Sequence, residues 1–394
     1  MDITITPGKL EGSVVAIPSK SQAHRLLICA AFSDGETQLI CPETNQDIEA
    51  TVQCLRSLGA HIERTSKGYA VTPVSKIPSS AVLNCAESGS TLRFMLPIVG
   101  ALGISGLFHL QGRLPQRPLS PLWEEMERMG CCLSRPSPNT IQCTGQLRCG
   151  KYIIDGSISS QFITGLLFAM ALIPGESNLR INGTVESKPY ILMTQRALSA
   201  FGVSTNDYHI QGSYPFHTPR NVIVEGDWSN GAFFLAAKAL GSNIEVSALD
   251  PDSPQGDSAV KTILADLVQN CTISAADIPD LVPILSVVAG MRSGATFTNI
   301  GRLRLKESDR VESVAAMLRN LGATVKIVED TLTVYPCQYH SCTIESAGDH
   351  RIAMSAAIAA TVSDGPVTIL GAECVAKSYP TFWQEFRRLG GHYE

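Results

Sequence analysis

The 394-residue sequence predicts a mixed α/β fold assembled from six copies of one unit. Three observations predict it. Six times a short polar segment leads into an apolar, Ala/Leu-rich helix, and a second helix ending near a Leu-Gly-type turn follows it. The pattern returns about every 70 residues, irregularly at the fourth copy. Three copies on each side place a domain boundary near Gly226, where no low-complexity linker marks one.

The elements follow in chain order. Alternating Ile3, Ile5 and Val14, Ala16 read as strands. Ser19-Lys20-Ser21 starts the first helix after Pro18, which bars helix before it, and the second helix stops at Leu58-Gly59. Tyr69–Val71 is a strand, Glu87-Ser88-Gly89-Ser90 the next start, and Met129-Gly130 the next stop. Phe94 to Leu110 lacks full charges, but Pro97 and His109 interrupt it and it is short for a membrane span, so a buried helix, a turn and a strand are expected. Tyr152–Ile154 is a strand, Ser157 to Gln161 the third start and Phe201-Gly202 its stop. Strand Val222–Val224 precedes the fourth start, Asp227 to Asn230, whose second helix ends about Gln269-Asn270. Pro279-Asp280 opens the fifth copy, with strand Thr296–Thr298. Val311, Val314, Ala315, Leu318 and Leu321 make one apolar helix face that Gly322 ends. Gly348-Asp349-His350-Arg351, strand Val367–Ile369 and the Leu389-Gly390 stop complete the sixth.

Composition bounds the function. With 44% hydrophobic residues the chain is an ordinary soluble globular type, and a net charge of −5 argues against a broad nucleic-acid surface. The twelve cysteines are scattered and form no C-x-x-C, which reads as free thiols in a reducing cytoplasm. The N-terminal residues have neither the basic nor the apolar region of a signal peptide, so the expected location is cytoplasmic, with no membrane partner.

Any anion site must therefore be a local concentration of Lys and Arg. Helix starts suit that role, because their backbone N–H groups lack partners and the dipole is positive there. Lys20 and Arg25 add charge at one such start, although a capped helix with solvated basic side chains explains them equally well. Ser88-Gly89-Ser90-Thr91-Leu92-Arg93 repeats the arrangement with a glycine that lets a ligand approach the backbone. Arg113 and Arg117 lie on a proline-stiffened loop, Ser159-Ser160-Gln161 offers neutral hydrogen-bonding groups, and Ser187-Lys188-Pro189 reads as a turn. In Arg304 to Arg310 five of seven residues are charged, which by itself marks solvated surface, with Glu307 and Arg310 spaced as an i, i+3 pair. Asp280 reads as a cap. Asp349-His350-Arg351 opens a helix of small residues, unusual for surface charge. Gly145 to Lys151 has the spacing of a phosphate-binding loop, but Tyr152 stands where Ser or Thr is required and a strand follows, which removes an ATP-using reading. No cofactor fingerprint or metal cluster appears.

Taken in order, these segments resemble the enolpyruvyl transferases over essentially the whole chain. The most specific are Lys20-Ser21 to Arg25, Arg304 to Arg310, Asp349-His350-Arg351 and Ala376-Lys377. Two departures stand out: Glu87-Ser88-Gly89-Ser90 replaces the family's usual Asn-Ala/Ser-Gly-Thr, and Glu312 occupies a place where a small residue is common. The resemblance implies six βαβαββ repeats, three per domain, in an inside-out α/β barrel arrangement. The domains would be residues 14–226 and residues 227–394 plus 1–13, with helix starts facing an interdomain cleft.

It also implies a monomer that transfers the enolpyruvyl group of phosphoenolpyruvate to shikimate 3-phosphate, without cofactor or metal. Lys20, Ser21, Arg25, Ser159, Ser160, Gln161, Ser187, Asp280 and Lys306 would hold shikimate 3-phosphate. Lys20, Gly89, Arg93, Arg117, Gln161, Arg310, Arg351 and Lys377 would hold phosphoenolpyruvate. Asp280, Glu307, Lys377 and Lys20 would be the catalytic groups. The branch that uses UDP-N-acetylglucosamine usually has Lys-Asn where Lys20-Ser21 stands and a reactive Cys in the loop matching Arg113 to Arg117, where this chain has none. A non-catalytic anion-binding protein would be expected to lose Asp280, Glu307 or Lys377, and all three are present.

Overall fold

The computed structural model describes all 394 residues. The chain divides into two compact units, one of Pro18–Val224 and one of Met1–Ile17 with Glu225–Glu394. Each has its own hydrophobic core. Both boundaries lie a few residues from the expected ones, and at the first the reason is visible in the pairing. Strand Glu11–Val15 runs parallel to Asn243–Ser247, which keeps the chain through Ile17 with the C-terminal segment.

Three sheets belong to each unit. The second copy shows the full pattern. Strand Ser80–Asn84 lies parallel to Ser105–His109, which pairs antiparallel with Thr140–Gly145, and that strand pairs with Cys131–Ser134. The fifth copy repeats this order from Cys271 to Val334. The first and sixth are completed by distant chain. Asn221–Ile223 supplies the parallel edge beside Thr37–Ile40, and Ile3–Thr6 enters between Val367–Leu370 and His392–Tyr393.

The expected strand pattern is reduced in the third and fourth copies. In the third, the chain before strand His209–Gly212 forms a short 3-10 turn with positive φ at Asp207 (49°) and Tyr208 (60°), so a fourth strand does not form. The fourth has only two strands, because its second helix, Val260–Asp266, leads almost directly into strand Cys271–Ser274 of the next copy. That helix also ends before the expected Gln269-Asn270. No sheet closes into a barrel: each contains two to four strands and has two edges.

At the centre of each copy stands one apolar helix: α1 (Lys20–Ala31), α2 (Gly89–Leu102), α3 (Ser160–Leu172), α4 (Trp228–Ala239), α5 (Val282–Met291) and α6 (His350–Ala360). Five begin within the expected segments; the fifth starts at Val282, just past Pro279-Asp280, and the Asp280 side chain, read as a cap, accepts from Arg310 and Arg351 instead. Ser19, Ser88, Ser159, Asp227 and Asp349 cap five of them through their side chains. The fifth has no side-chain cap, and Pro283 lies in its first turn. Helices α2 and α3 approach so closely that a Cβ at Gly165 would collide with the Arg93 carbonyl oxygen. The second helices end at glycines with positive φ, Gly59, Gly130, Gly202, Gly322 and Gly390, in every copy but the fourth. No helix is long and apolar enough to cross a membrane. The stretch with phosphate-loop spacing links strands Thr140–Gly145 and Lys151–Asp155, and the second of these is the strand expected after it.

Candidate functional site

In the unit of Pro18–Val224 the cationic side chains gather at the starts of α1 and α2. Lys20 reaches Asp47 at 2.9 Å, and both side chains are mostly buried. Arg25, one turn into α1, is 2% exposed. Its Nε donates to Thr194 Oγ1 at 2.8 Å, Nη1 to the Ser21 carbonyl at 2.6 Å, and Nη2 to the Tyr190 carbonyl at 2.9 Å and Thr164 Oγ1 at 3.3 Å. Burial lowers its pKa to about 10. The Tyr190 contact ties Arg25 to the turn at Ser187, which is buried with φ 55° just before helix Lys188–Ala200.

A second set forms around α2. Arg93 donates to Gln161 Oε1 at 3.1 Å and to the Pro118 carbonyl at 3.1 Å, while Gln161 Nε2 donates to Ser90 Oγ at 2.9 Å. A Cβ at Gly89 would lie 2.6 Å from Arg93 Nη1 and 2.7 Å from Arg117 Nη1, so the bare glycine backbone is what lets both guanidiniums approach it. Ser159 caps α3 and Ser160 is its buried first residue. The structure thus brings together Gly89, Arg93, Arg117 and Gln161.

Underneath runs a chain of buried hydrogen bonds that no sequence pattern announces. His24 Nδ1 meets Thr51 Oγ1 at 2.7 Å, Thr51 meets Thr91 Oγ1 at 2.7 Å, and Thr91 donates to Ser88 Oγ at 2.8 Å. It links α1, helix Gln46–Ser57 and the cap of α2. Burial holds the His24 pKa down at about 3, so the ring is neutral.

The other unit surrounds its cations with carboxylates. Arg310, 1% exposed, donates from Nε to Asp349 Oδ2 at 2.9 Å, from Nη1 to Asp280 Oδ1 at 2.8 Å and from Nη2 to Glu307 Oε2 at 2.7 Å. Asp280 Oδ2 also accepts from Arg351 Nη2 at 3.1 Å, and Lys306 Nζ lies 3.5 Å from Oδ1. Asp349 both caps α6 and accepts from Ser308 Oγ at 3.1 Å. Burial works to raise the pKa of Asp280, but Arg351, Lys306 and Arg310 outweigh it and hold this carboxyl well below the usual range. Burial lowers Lys306 to about 8, with Asp280 opposing the shift. Lys377 is buried at the end of the short helix Ala372–Lys377, next to Ser378, whose hydroxyl accepts from Asn230 Nδ2 at 3.4 Å.

The charge run Arg304 to Arg310 is therefore divided. Lys306, Glu307 and Arg310 face the cluster, while Arg304 pairs with Asp309 and Glu312 near the surface, at 3.0 Å each. That contact gives the unusual Glu312 a surface role. Asp47, Thr164 and Thr194 also belong to these clusters, and sequence reasoning missed them along with the buried Asp257. Asp47 carried a usable signal, an acid in the first turn of a helix; the threonines and Asp257 lie at positions that no spacing rule marks.

Chemically, the first unit can grip anions with cations whose acceptors are mostly neutral. The second is suited to moving protons, since carboxylates that share bonded arginines lie beside a lysine whose pKa is lowered.

Comparison with known proteins bears on both. The family model described as EPSP synthase (3-phosphoshikimate 1-carboxyvinyltransferase) matches residues 5–386. A 3-phosphoshikimate 1-carboxyvinyltransferase of Clostridium kluyveri is 38% identical, covering 100% of this chain and 98% of its own. One of Clostridium perfringens is 39% identical, over 99% and 98%. Among solved structures, EPSP synthase from Acinetobacter baumannii superposes with a TM-score of 0.81 at 26% identity, over 100% of this chain and 99% of that one. The enolpyruvyl transferase NikO from Streptomyces tendae shares the fold, with a TM-score of 0.77 at 16% identity over 100% and 98%.

Proposed function

The chain belongs to the EPSP synthase (3-phosphoshikimate 1-carboxyvinyltransferase) family, and from that premise we propose how its residues divide the reaction. The activity is transfer of the 1-carboxyvinyl group of phosphoenolpyruvate to shikimate 3-phosphate, with release of phosphate. The 5-hydroxyl oxygen bonds to C2 of phosphoenolpyruvate as its proton leaves and the methylene carbon gains one. The tetrahedral adduct then expels phosphate by breaking the C2–O bond, and loss of a proton from the methyl restores the double bond.

Each substrate carries a phosphate and a carboxylate, so binding must offset mutual repulsion. At 4 Å an opposite charge contributes about 4 kcal/mol gross at an effective dielectric of 20, before desolvation. Lys20, Ser21, Ser159, Ser160, Gln161 and Ser187, with Asp280 and Lys306, hold shikimate 3-phosphate in this reading. Arg25 belongs to the same set, but most of its donors are engaged by the protein, so it contributes chiefly charge from behind. Lys20, Gly89, Arg93, Arg117, Gln161, Arg310, Arg351 and Lys377 hold phosphoenolpyruvate. Asp280 takes the proton of the 5-hydroxyl, Glu307 and Lys377 serve the methylene carbon, and Lys20 assists as a catalytic cation.

One observation carries the assignment. Asp280 is clamped by Arg310, Arg351 and Lys306, of which the two arginines are proposed to bind the anionic phosphoenolpyruvate. When substrate anions claim those guanidiniums, Asp280 loses the charges that depress its pKa and becomes a stronger base as the substrate arrives. A phosphate-release assay tests the reading: release with phosphoenolpyruvate and shikimate 3-phosphate is expected, and none with UDP-N-acetylglucosamine. The opposite preference, or release with neither, would reject it.

A further inference from the structure

The start of α4 has no part in the reaction described so far, yet it is a closely packed polar junction. Gln255 pins a loop onto it, accepting from Trp228 N at 3.1 Å and donating to the Gly226 carbonyl at 2.8 Å. Two residues further, Asp257 is 1% exposed. Its Oδ2 accepts from Ser229 Oγ in a short contact, and its Oδ1 is buried with no hydrogen-bond partner.

A buried carboxylate with one bare oxygen and one hydrogen bond is poorly solvated, whereas the neutral acid needs far less. The groups facing it are mixed. Asp280 from the turn before α5 and Asp227 from the cap of α4 oppose its ionisation, while Arg351 from α6 and the Ser229 hydroxyl favour it. Burial is the largest influence and Asp280 the next, and the carboxyl is pushed up to about 7. Arg351, Lys306 and Arg310 thus favour the ionised form of Asp280, while burial favours the neutral form of Asp257.

We propose that Asp257 is a positioning residue which stays neutral beside Asp280, and that its ionisation draws Arg351 away from phosphoenolpyruvate and weakens substrate binding. This inference rests on the assignment of Arg351 to phosphoenolpyruvate. It also gives the fourth helix start a role, because Ser229 and Asp227 set where Asp257 loses its proton. Below neutrality Asp257 is uncharged and Arg351 is available; as pH rises past about 7 the new negative charge competes for it.

The test compares wild type with Asp257→Asn, which keeps the neutral shape, from about pH 6 to about pH 8.5. The ratio of the two KM values for phosphoenolpyruvate, in which titration of the substrate itself cancels, is expected to rise about fivefold. The pH profile of kcat should not separate the two proteins. Ser229→Ala removes a bond that favours the ionised form, so its rise in KM should move to higher pH. Infrared spectroscopy of isotope-labelled aspartate supplies a readout independent of turnover. A carbonyl band from a protonated buried carboxyl should be present at low pH, titrate near pH 7 and be missing in Asp257→Asn. Lack of that band overturns the proposal, as does a KM ratio that stays flat. If Asp257→Asn does not fold, the infrared titration and the Ser229→Ala shift decide. Absence of phosphate release by wild type defeats the functional reading alone, because the infrared band is still measurable.

Discussion

Arg25 and Arg310 are both buried arginines near the starts of helices, one in each unit, and their surroundings differ completely. Arg25 donates to two threonines and two backbone carbonyls. Arg310 donates to Asp280, Glu307 and Asp349. Neutral acceptors fix a guanidinium without cancelling its charge, so the field of Arg25 remains available to an anion. Three carboxylates more than cancel the charge of Arg310, and what remains is a set of groups whose proton affinities depend on who else holds the arginine. The first arrangement is suited to affinity, the second to proton transfer.

The largest effects should come from breaking the second arrangement. Asp280→Ala and Glu307→Ala are each expected to lower kcat about 10²- to 10⁴-fold while changing KM much less, as measured by steady-state phosphate release. Near-normal turnover in both would remove the acid/base assignment and leave the two units alike. Next come the arginines themselves. Arg310→Leu strands Asp349, a fully buried carboxylate, and is expected to cost about 3–5 kcal/mol in urea unfolding. Arg25→Leu leaves only neutral acceptors unpaired and should cost about 1–3 kcal/mol, with weakened binding of shikimate 3-phosphate. Equal losses would mean that the carboxylates around Arg310 are solvated better than their burial indicates.

How much of this was legible in the sequence divides along the same line. The six helix starts were readable because capping residues and the onset of apolar periodicity lie within a few neighbouring positions, and the glycine stops because φ above zero restricts residue type. The strand exchange that sends Glu11–Val15 to Asn243–Ser247 leaves no local signal, since the segments lie more than 200 residues apart, and only the family resemblance, which puts residues 1–13 with the C-terminal domain, anticipates it. At the site, Lys20 and Arg93 stand out as charge where apolar helices begin, whereas Arg310 reads by itself as part of a surface charge run and gains meaning only through the family resemblance. The acceptors that define their function, Thr164 and Thr194 for Arg25 and Asp349 for Arg310, come from other helices. Asp257 was invisible for the same reason: its burial is a property of the folded junction, not of Gly256-Asp257.

Gly89→Ala probes the first arrangement alone. The new Cβ would displace the Arg93 and Arg117 guanidiniums, and since Arg93 donates to a neutral amide and a backbone carbonyl, a shift rather than unfolding is expected. KM for phosphoenolpyruvate should rise about tenfold, the equivalent of about 1.4 kcal/mol, with a smaller change in kcat. A fall in kcat with KM unchanged would instead place proton chemistry in this unit.

The smallest change is the one expected of the wild-type protein in acid. His24 has its pKa lowered from 6.5 to about 3 by burial, so its contribution to stability is complete above pH 6.5 and is lost as pH falls toward the folded value. Asp257 has its pKa raised from 3.8 to about 7, so its contribution is complete below pH 3.8 and is lost as pH rises through about 7. Between about pH 6.5 and pH 5 the two therefore oppose each other, each at up to about 1.4 kcal/mol per pH unit, and the wild-type protein should show little net change. Single substitutions separate them. Replacing the ring by an uncharged amide in His24→Gln should make stability rise on acidification, because only the Asp257 gain is left. Asp257→Asn should make it fall. Urea unfolding of the three proteins at the two pH values reads the difference, and hydrogen exchange assigns each change to its unit. If both variants track wild type, the buried histidine and the buried acid do not titrate differently on folding, and the contrast between a neutral network in one unit and a charged one in the other loses its thermodynamic basis.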